Sequence, residues 1–241
     1  MRYNPGKFHT KKGVRNIDKR YRHEVKHAIN YCDMLCIRQR ISVVARSDPH
    51  APCGQYEIRS LYFDNDDDKA LREKIYGSDR REKFRIRYYN NDTSFIRLEK
   101  KSRLDGLGTK YSAKLTKEET QNIIDGDISF MKDHEDSLIR ELYLKMNYQR
   151  LRPKTVVDYT REPYVFDAGN VRVTFDHDIR TGMGRCDMFS EDFVTVPAGD
   201  APVILEVKWD DFLPGIIRDC VQTRGVRATS FSKYAQCRIY G

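Results

Sequence analysis

The sequence predicts an α+β fold: a closed antiparallel β-barrel of about eight strands with helices packed outside it. Three observations carry this. Segment after segment alternates apolar and charged residues at period two, the pattern of strands with one oily and one polar face. The charged faces are biased toward cations, whereas a face open to water gains most by alternating signs across strands. Amphipathic helices are interspersed, and their apolar stripes can cover the oily sides from outside. The charged faces then point into a lumen just wide enough for side chains or one slim ligand.

The 241 residues suit one large unit over 21–241 preceded by a basic arm over 1–20. In the arm Arg2, Lys7, Lys11, Lys12, Arg15, Lys19 and Arg20 stand against one acid, Asp18, and no apolar stretch marks a secretory leader. A net charge of +8 points to an anionic partner. Six cysteines without a C-x-x-C pair read as reduced thiols of a cytoplasmic protein, not as a disulfide frame or zinc site. Cys32 and Cys36, at helical spacing, are expected in the core. No apolar run approaches the ~20 residues of a membrane span, so direct membrane insertion is not expected.

Taken in order, Tyr21–His27 reads as a strand with Arg22, Glu24 and Lys26 on one face. Asn30 is placed to cap a helix burying Ile37, Ile41 and Val44. Gln55–Asp64 is a strand, and Asp66–Ile75 a short helix closed by Gly77. Lys83–Tyr89 sets Lys83, Arg85 and Arg87 against Phe84, Ile86 and Tyr88, and Phe95–Lys101 sets Arg97, Glu99 and Lys101 against Ile96 and Leu98. Asp105-Gly106 is a turn signal before a strand over Thr109–Leu115 that aligns Lys110, Ser112 and Lys114. Thr116 with Glu119 forms a capping box, and Glu135–Arg150 carries Leu138, Leu142 and Met146 at helical spacing. Strands follow at Thr155–Glu162, with Tyr159 and Arg161 in phase, at Val171–Asp178 and at Val203–Trp209. Pro214 opens a helix to about Thr223, and Ser230–Tyr234 begins a last short one.

The charged faces contribute Lys26, Arg85, Arg87, Arg97, Lys101, Lys110, Lys114, Arg161, Arg172 and Lys208 against Glu24, Glu99, Asp176, Asp178 and Glu206, ten cations to five acids. Buried unpaired cations are costly, so the lumen is expected to be wet or to hold an anion. A chain of phosphates suits it, because Arg and Lys bind phosphate oxygens through charge-assisted hydrogen bonds. Carboxylates there can hold a divalent metal that bridges phosphates, and Glu206 and Glu99, each two residues from a lysine on its own face, are the candidates. His23, His27 and His177 are out of phase with these faces and are read as packing or solvent contacts. Gly182-Met183-Gly184 is a connector, too short for a phosphate loop.

The ordered pieces Arg22-His23-Glu24-Val25-Lys26, Ser60-Leu61-Tyr62-Phe63-Asp64, Phe84-Arg85-Ile86-Arg87-Tyr88 and Leu98-Glu99-Lys100-Lys101 continue through four more. These are Tyr159-Thr160-Arg161-Glu162-Pro163-Tyr164, Arg172-Val173-Thr174-Phe175-Asp176, Leu205-Glu206-Val207-Lys208 and Ser232-Lys233-Tyr234. The series resembles the triphosphate tunnel metalloenzymes, and within them the VTC domain of polyphosphate polymerases. The resemblance implies transfer of the ATP γ-phosphate to a growing polyphosphate chain, with release of ADP. It assigns Lys26, Arg85, Arg87, Lys101, Arg161, Lys208 and Lys233 to the catalytic grip on phosphate. Lys110, Lys114, Tyr159, Arg172 and Arg97 become substrate-binding residues, and Glu206 and Glu99 ligands of Mn²⁺ or Mg²⁺. Implied partners are ATP, polyphosphate and orthophosphate or pyrophosphate, with room for a membrane-bound partner. The related CYTH triphosphatases open with Glu-x-Glu-x-Lys, whereas this chain has Arg22 at the first position, which removes one potential metal ligand and leans toward the polymerase branch.

Two rival readings follow: a metal-dependent tripolyphosphatase or nucleoside triphosphatase of the same fold, and a non-catalytic polyphosphate-binding module. Nucleic acid is disfavoured as a partner, because its readers interleave aromatics with cations for base stacking. Here Phe84 and Tyr88 alternate away from Arg85 and Arg87.

Overall fold

The computed structural model describes residues 22–104, 107–222 and 227–240. The basic arm and the Asp105-Gly106 turn lie outside the described residues. The chain runs β1 (His23–Ile29), α1 (Tyr31–Val44), β2 (Arg46–Ser47), β3 (Tyr56–Asp64), α2 (Lys69–Ile75), β4 (Arg81–Tyr89), β5 (Asp92–Leu104), β6 (Leu107–Leu115), α3 (Lys117–Asp125) and α4 (Ser137–Tyr148). It continues with β7 (Arg152–Phe166), β8 (Val171–Thr181), β9 (Val196–Pro197), β10 (Val203–Trp209), α5 (Gly215–Cys220) and α6 (Lys233–Ile239). All the long strands pair antiparallel in the spatial order β1-β10-β8-β7-β3-β4-β5-β6.

Local chemistry sets the helix starts. The Asn30 side chain accepts from the Asp33 N–H, Thr116 and Glu119 form the full capping box, and Asp136 and Ser232 cap α4 and α6. The oily strand faces then bury against helices in two layers. Phe84, Ile86, Ile96 and Leu98 pack with Ile123 of α3 and Ile139, Leu142 and Met146 of α4. Val173, Phe175, Leu205 and Val207 pack with Met34, Ile37 and Ile41 of α1 and Ile217 of α5. Met34 completes the stripe of α1, while Cys32 and Cys36 are exposed on its far side, contrary to the core position expected from their spacing.

Two further expectations are corrected. The sheet rolls up, but among the described residues no β1–β6 ladder closes it. The free edge of β1 is instead taken by the segment before α6: Ala228 bridges His27, and the Thr229 N–H donates to the Lys26 carbonyl. That the sheet is nevertheless curled follows from charge. β10 and β5 lie five strands apart along the path, which is about 24 Å in a flat sheet, yet Lys208 and Glu24 act directly on Lys101. Screening would silence that interaction unless the faces were rolled toward each other.

The second correction concerns α6, which does not pack outside. It lies on the concave charged face, where Tyr234 stacks on Tyr62 at 5.1 Å and joins Ile58, Val157, Ile179 and Ile204. One end of the concavity is therefore filled by apolar side chains and the other groups of that face are charged.

Candidate functional site

Period-two geometry delivers the inner face. Glu24 and Lys26 come from β1, Ser60 and Tyr62 from β3, and Lys83, Arg85 and Arg87 from β4. Glu99 and Lys101 come from β5, Tyr159 and Arg161 from β7, Thr174 and Asp176 from β8, and Glu206 and Lys208 from β10. Lys233 arrives from the first turn of α6.

Three buried carboxylates organise the cations. Glu99 takes Arg85 and Arg87, each at 2.8 Å, and Lys110 at 2.6 Å. Asp176 takes Arg161 through two hydrogen bonds of 2.6 and 2.7 Å, and Lys233 at 2.5 Å. Glu206 takes Lys208 at 2.5 Å and Lys26 at 3.6 Å, with Arg161 at 3.9 Å. Glu24, nearer the rim, reaches Lys26 at 2.9 Å and Lys208 at 3.6 Å. Burial works against ionisation of these acids, but their cationic neighbours outweigh it. Arg85, Arg87 and Lys110 hold Glu99 down to about 2, and Arg161 and Lys233 hold Asp176 down to about 2. Lys26, Lys208 and Arg161 hold Glu206 well below the usual carboxylate range. Lys26 is likewise buried, yet Glu206 and Glu24 raise it.

Two cations have no such partner. Lys83 and Lys101 are directly opposite each other across β4 and β5, and among the described residues neither makes an ion pair. Burial pushes Lys83 down to about 8, with Arg85, Lys26 and Lys233 adding to the effect. Burial, Lys208 and Arg85 push Lys101 well below the ordinary lysine value. Two facing ammonium groups without a carboxylate between them repel, and their perturbed protonation marks this part of the face as a candidate site.

The remaining residues expected from the sequence are more dispersed. Lys110 is half exposed on the edge strand β6, and Lys114 beside it is exposed. Arg97, opposite Arg87 across β4 and β5, stacks over the Phe95 ring at 4.7 Å and makes no ion pair among the described residues. Arg172 is drawn to the loop after β2, pairing with Asp48 at 2.5 Å and Tyr56 Oη at 3.3 Å. Tyr159 lies within the face, with Arg161 and Lys233 over its ring. Asp178 leaves the inner face altogether: β8 shifts register against β7 there, and the residue adopts a φ of 47° and pairs with Arg180. Arg22 points away too, to Asp210 and the Asn170 carbonyl. His23 stacks on Trp209, as its phase suggested.

Sequence reasoning passed over Lys83 and Tyr62 as site residues. The signal for Lys83 was present, since it is in phase with Arg85 and Arg87. Tyr62 had none, because an aromatic in a strand reads as core.

No three carboxylate, imidazole or thiolate side chains among the described residues gather into a metal cage. Glu206 and Glu24, on neighbouring strands, nonetheless offer hard oxygen donors, and they meet through shared lysines. That donor set fits a divalent cation held by one or two carboxylates and completed by phosphate oxygens.

A curled antiparallel sheet with a cation-rich, partly unneutralised concave face defines the class of α+β domain to which this fold belongs. Within it, the chain belongs to the VTC domain family, whose model matches residues 21–239. No curated protein matches it. Among solved structures, the chain is similar to HpAC1 from Hippeastrum, an adenylyl cyclase candidate with a dominant triphosphatase activity. The TM-score is 0.53 at 14% identity, over 90% of this chain and 94% of that one. It is also similar to an adenylate cyclase candidate from Bacillus halodurans, with a TM-score of 0.46 at 14% identity over 77% and 78% of the two chains. The protein is thus a VTC-domain member that shares its fold with HpAC1. No described helix is long and apolar enough to cross a membrane.

Proposed function

We propose that the protein is an ATP-dependent polyphosphate polymerase, moving the ATP γ-phosphate onto the end of a polyphosphate chain lying along the concave face. The observation that carries this is the pair Lys83 and Lys101, two facing half-buried ammonium groups left without carboxylates in a site where Glu99, Asp176 and Glu206 pair with Arg85, Arg87, Arg161, Lys208 and Lys233. A phosphoryl group supplies the missing charge. Arg85, Arg87, Lys26, Arg161, Lys208 and Lys233, preset by their carboxylates, grip neighbouring phosphoryl oxygens. Lys110 and Lys114 extend the track along β6, Arg97, Arg172 and Tyr159 flank it, and Mn²⁺ or Mg²⁺ serves as cofactor.

In the reaction, a terminal phosphate oxygen of the acceptor forms a bond to Pγ while the bond from Pγ to the β-bridging oxygen breaks, and ADP leaves. Phosphoryl transfer asks for positioning and charge neutralisation, so no covalent nucleophile is needed. The metal, when bound, neutralises charge on the transferring group. Glu206, with Glu24, is assigned to hold it. Glu99, with Arg85, Arg87 and Lys110 all within 2.8 Å whereas Glu206 has only Lys208 that close, is assigned to aiming Arg85 and Arg87 instead.

The second reading, a triphosphatase with water as acceptor, is favoured by the activity described for HpAC1. Incubation of the purified protein with ATP and Mn²⁺, resolved on a gel, separates the readings. A polyphosphate ladder with ADP supports the polymerase. Orthophosphate alone supports the triphosphatase, and binding without turnover supports the binding module. Cytoplasmic location remains part of the proposal, consistent with the six free cysteines.

A further inference from the structure

Strand β3 brings two hydroxyls to the inner face directly opposite the arginines of β4: Ser60 faces Arg87, and Tyr62 faces Arg85. Each pair keeps a donor hydrogen unused among the described residues. The Ser60 Oγ and the Arg87 Nε are both sealed from water, and neither has a hydrogen-bond partner. Arg87 spends its Nη2 on Glu99, leaving Nε free to donate toward the inner face. The Tyr62 oxygen accepts from Arg85 Nη1 at 3.0 Å, but among the described residues its own O–H has no acceptor. Its ring is immobilised by stacking on Tyr234, whose hydroxyl is spent on Asp64 at 2.7 Å. Around the Tyr62 hydroxyl stand Arg85, Lys83 and Lys233, all donors. Glu99 on β5, which holds Arg85 and Arg87, already carries three cations. The Ser60 hydroxyl, the Arg87 Nε–H and the Tyr62 O–H thus each keep an unused donor hydrogen among the described residues, which buried polar groups ordinarily avoid.

We infer that Ser60 and Tyr62 donate their hydroxyl hydrogens to phosphoryl oxygens held by Arg87 and Arg85, so that β3 adds neutral donors to a site otherwise built from charge. The inference rests on the phosphate reading above and names the ligand class as a chain of condensed phosphates. An anion entering the face draws Lys83 and Lys101 onto itself. Neutral donors add directional hydrogen bonds without adding to the electrostatic repulsion among the cations already present.

The test is calorimetric binding of tripolyphosphate, without metal, to the wild-type full chain and to Ser60→Ala, Tyr62→Phe and Lys101→Met, each with its melting temperature. Ser60→Ala and Tyr62→Phe are expected to bind about tenfold more weakly, with a salt dependence like that of the wild type because no charge is lost. Lys101→Met is expected to weaken binding and to flatten its salt dependence. Should Ser60→Ala fail to fold, Ser60→Cys, similar in size and a poor donor, takes its place with the same expectation. Wild-type-like affinity in both hydroxyl variants, with Lys101→Met impaired, overturns the inference and leaves the phosphate reading standing. A loss confined to Tyr62→Phe also overturns it, since that hydroxyl would then act by holding Arg85. Absence of tripolyphosphate binding by the wild type overturns both.

Discussion

Two walls of the same concave face are built on opposite electrostatic terms. On β1, β8 and β10, with Arg161 from β7 and Lys233 from α6, the inward cations meet Glu24, Asp176 or Glu206 at 2.5–3.6 Å. On β4 and β5, Glu99 holds Arg85 and Arg87, but Lys83 and Lys101 are left unmatched. The first wall is complete without a ligand and contributes to the fold. The second leaves two facing ammonium groups without a carboxylate, and their repulsion costs stability. The two walls thus differ in how far carboxylates match their cations, not in the kinds of residue present.

The largest test of this contrast is Asp176→Ala. Removing that carboxylate strands Arg161 and Lys233, and unfolding in urea is expected to show a loss of about 3–5 kcal/mol. Added tripolyphosphate should recover part of the loss by taking the place of the lost anion. An unchanged midpoint would erase the distinction between the walls.

Lys101→Met tests the other wall with the opposite sign. In the absence of anions it is expected to stabilise the protein by about 1 kcal/mol, because it removes a buried unpaired charge. The same variant should weaken tripolyphosphate tenfold or more and slow turnover correspondingly. A Lys101→Met protein that melts lower than wild type while still binding fully would reverse the assignment.

pH sharpens the comparison. Lys83 has a folded value of about 8 against an ordinary 10.5, so between those limits the unfolded chain binds more protons. Its contribution to stability therefore rises with pH through that window. The rise should be absent in Lys83→Met and reduced by saturating tripolyphosphate, which favours the ammonium form. Glu99 and Asp176 act at the acid end. With folded values of about 2, the stability they provide is lost as pH falls from roughly 4.5 toward 2. Thermal melts across both ranges check the two signs.

The smallest expected effect lies outside both walls. Thr116→Ala removes the hydroxyl end of the capping box on α3 and should cost about 1 kcal/mol without changing tripolyphosphate affinity. A change in affinity would mean that α3 communicates with the face through the Ile123 layer.

Much of this was legible along the chain. Lys83-Phe84-Arg85-Ile86-Arg87-Tyr88 announces both its strand and its two faces, because side chains alternate whatever the strand pairs with. Thr116 with Glu119 and Asn30 with Asp33 are local interactions within four residues, and both formed as read. The β8 irregularity at Asp178 was not legible, since a register shift depends on the partner strand β7. The i,i+4 spacing of Cys32 and Cys36 identified one helix face but could not say which face would be buried.

The amino-acid sequence alone determined which residues would share a face, that those faces would be rich in cations, and where most helices would start. Each of these follows from backbone periodicity and contacts a few residues apart. The tertiary structure alone decided that α6 would lie on the charged side, that the segment at Ala228 and Thr229 would occupy the β1 edge, and which cations would find carboxylates. Lys83 and Lys208 are equivalent as letters. One became a free ammonium and the other half of a 2.5 Å ion pair because Coulomb energy depends on distances set by strands far apart in the chain.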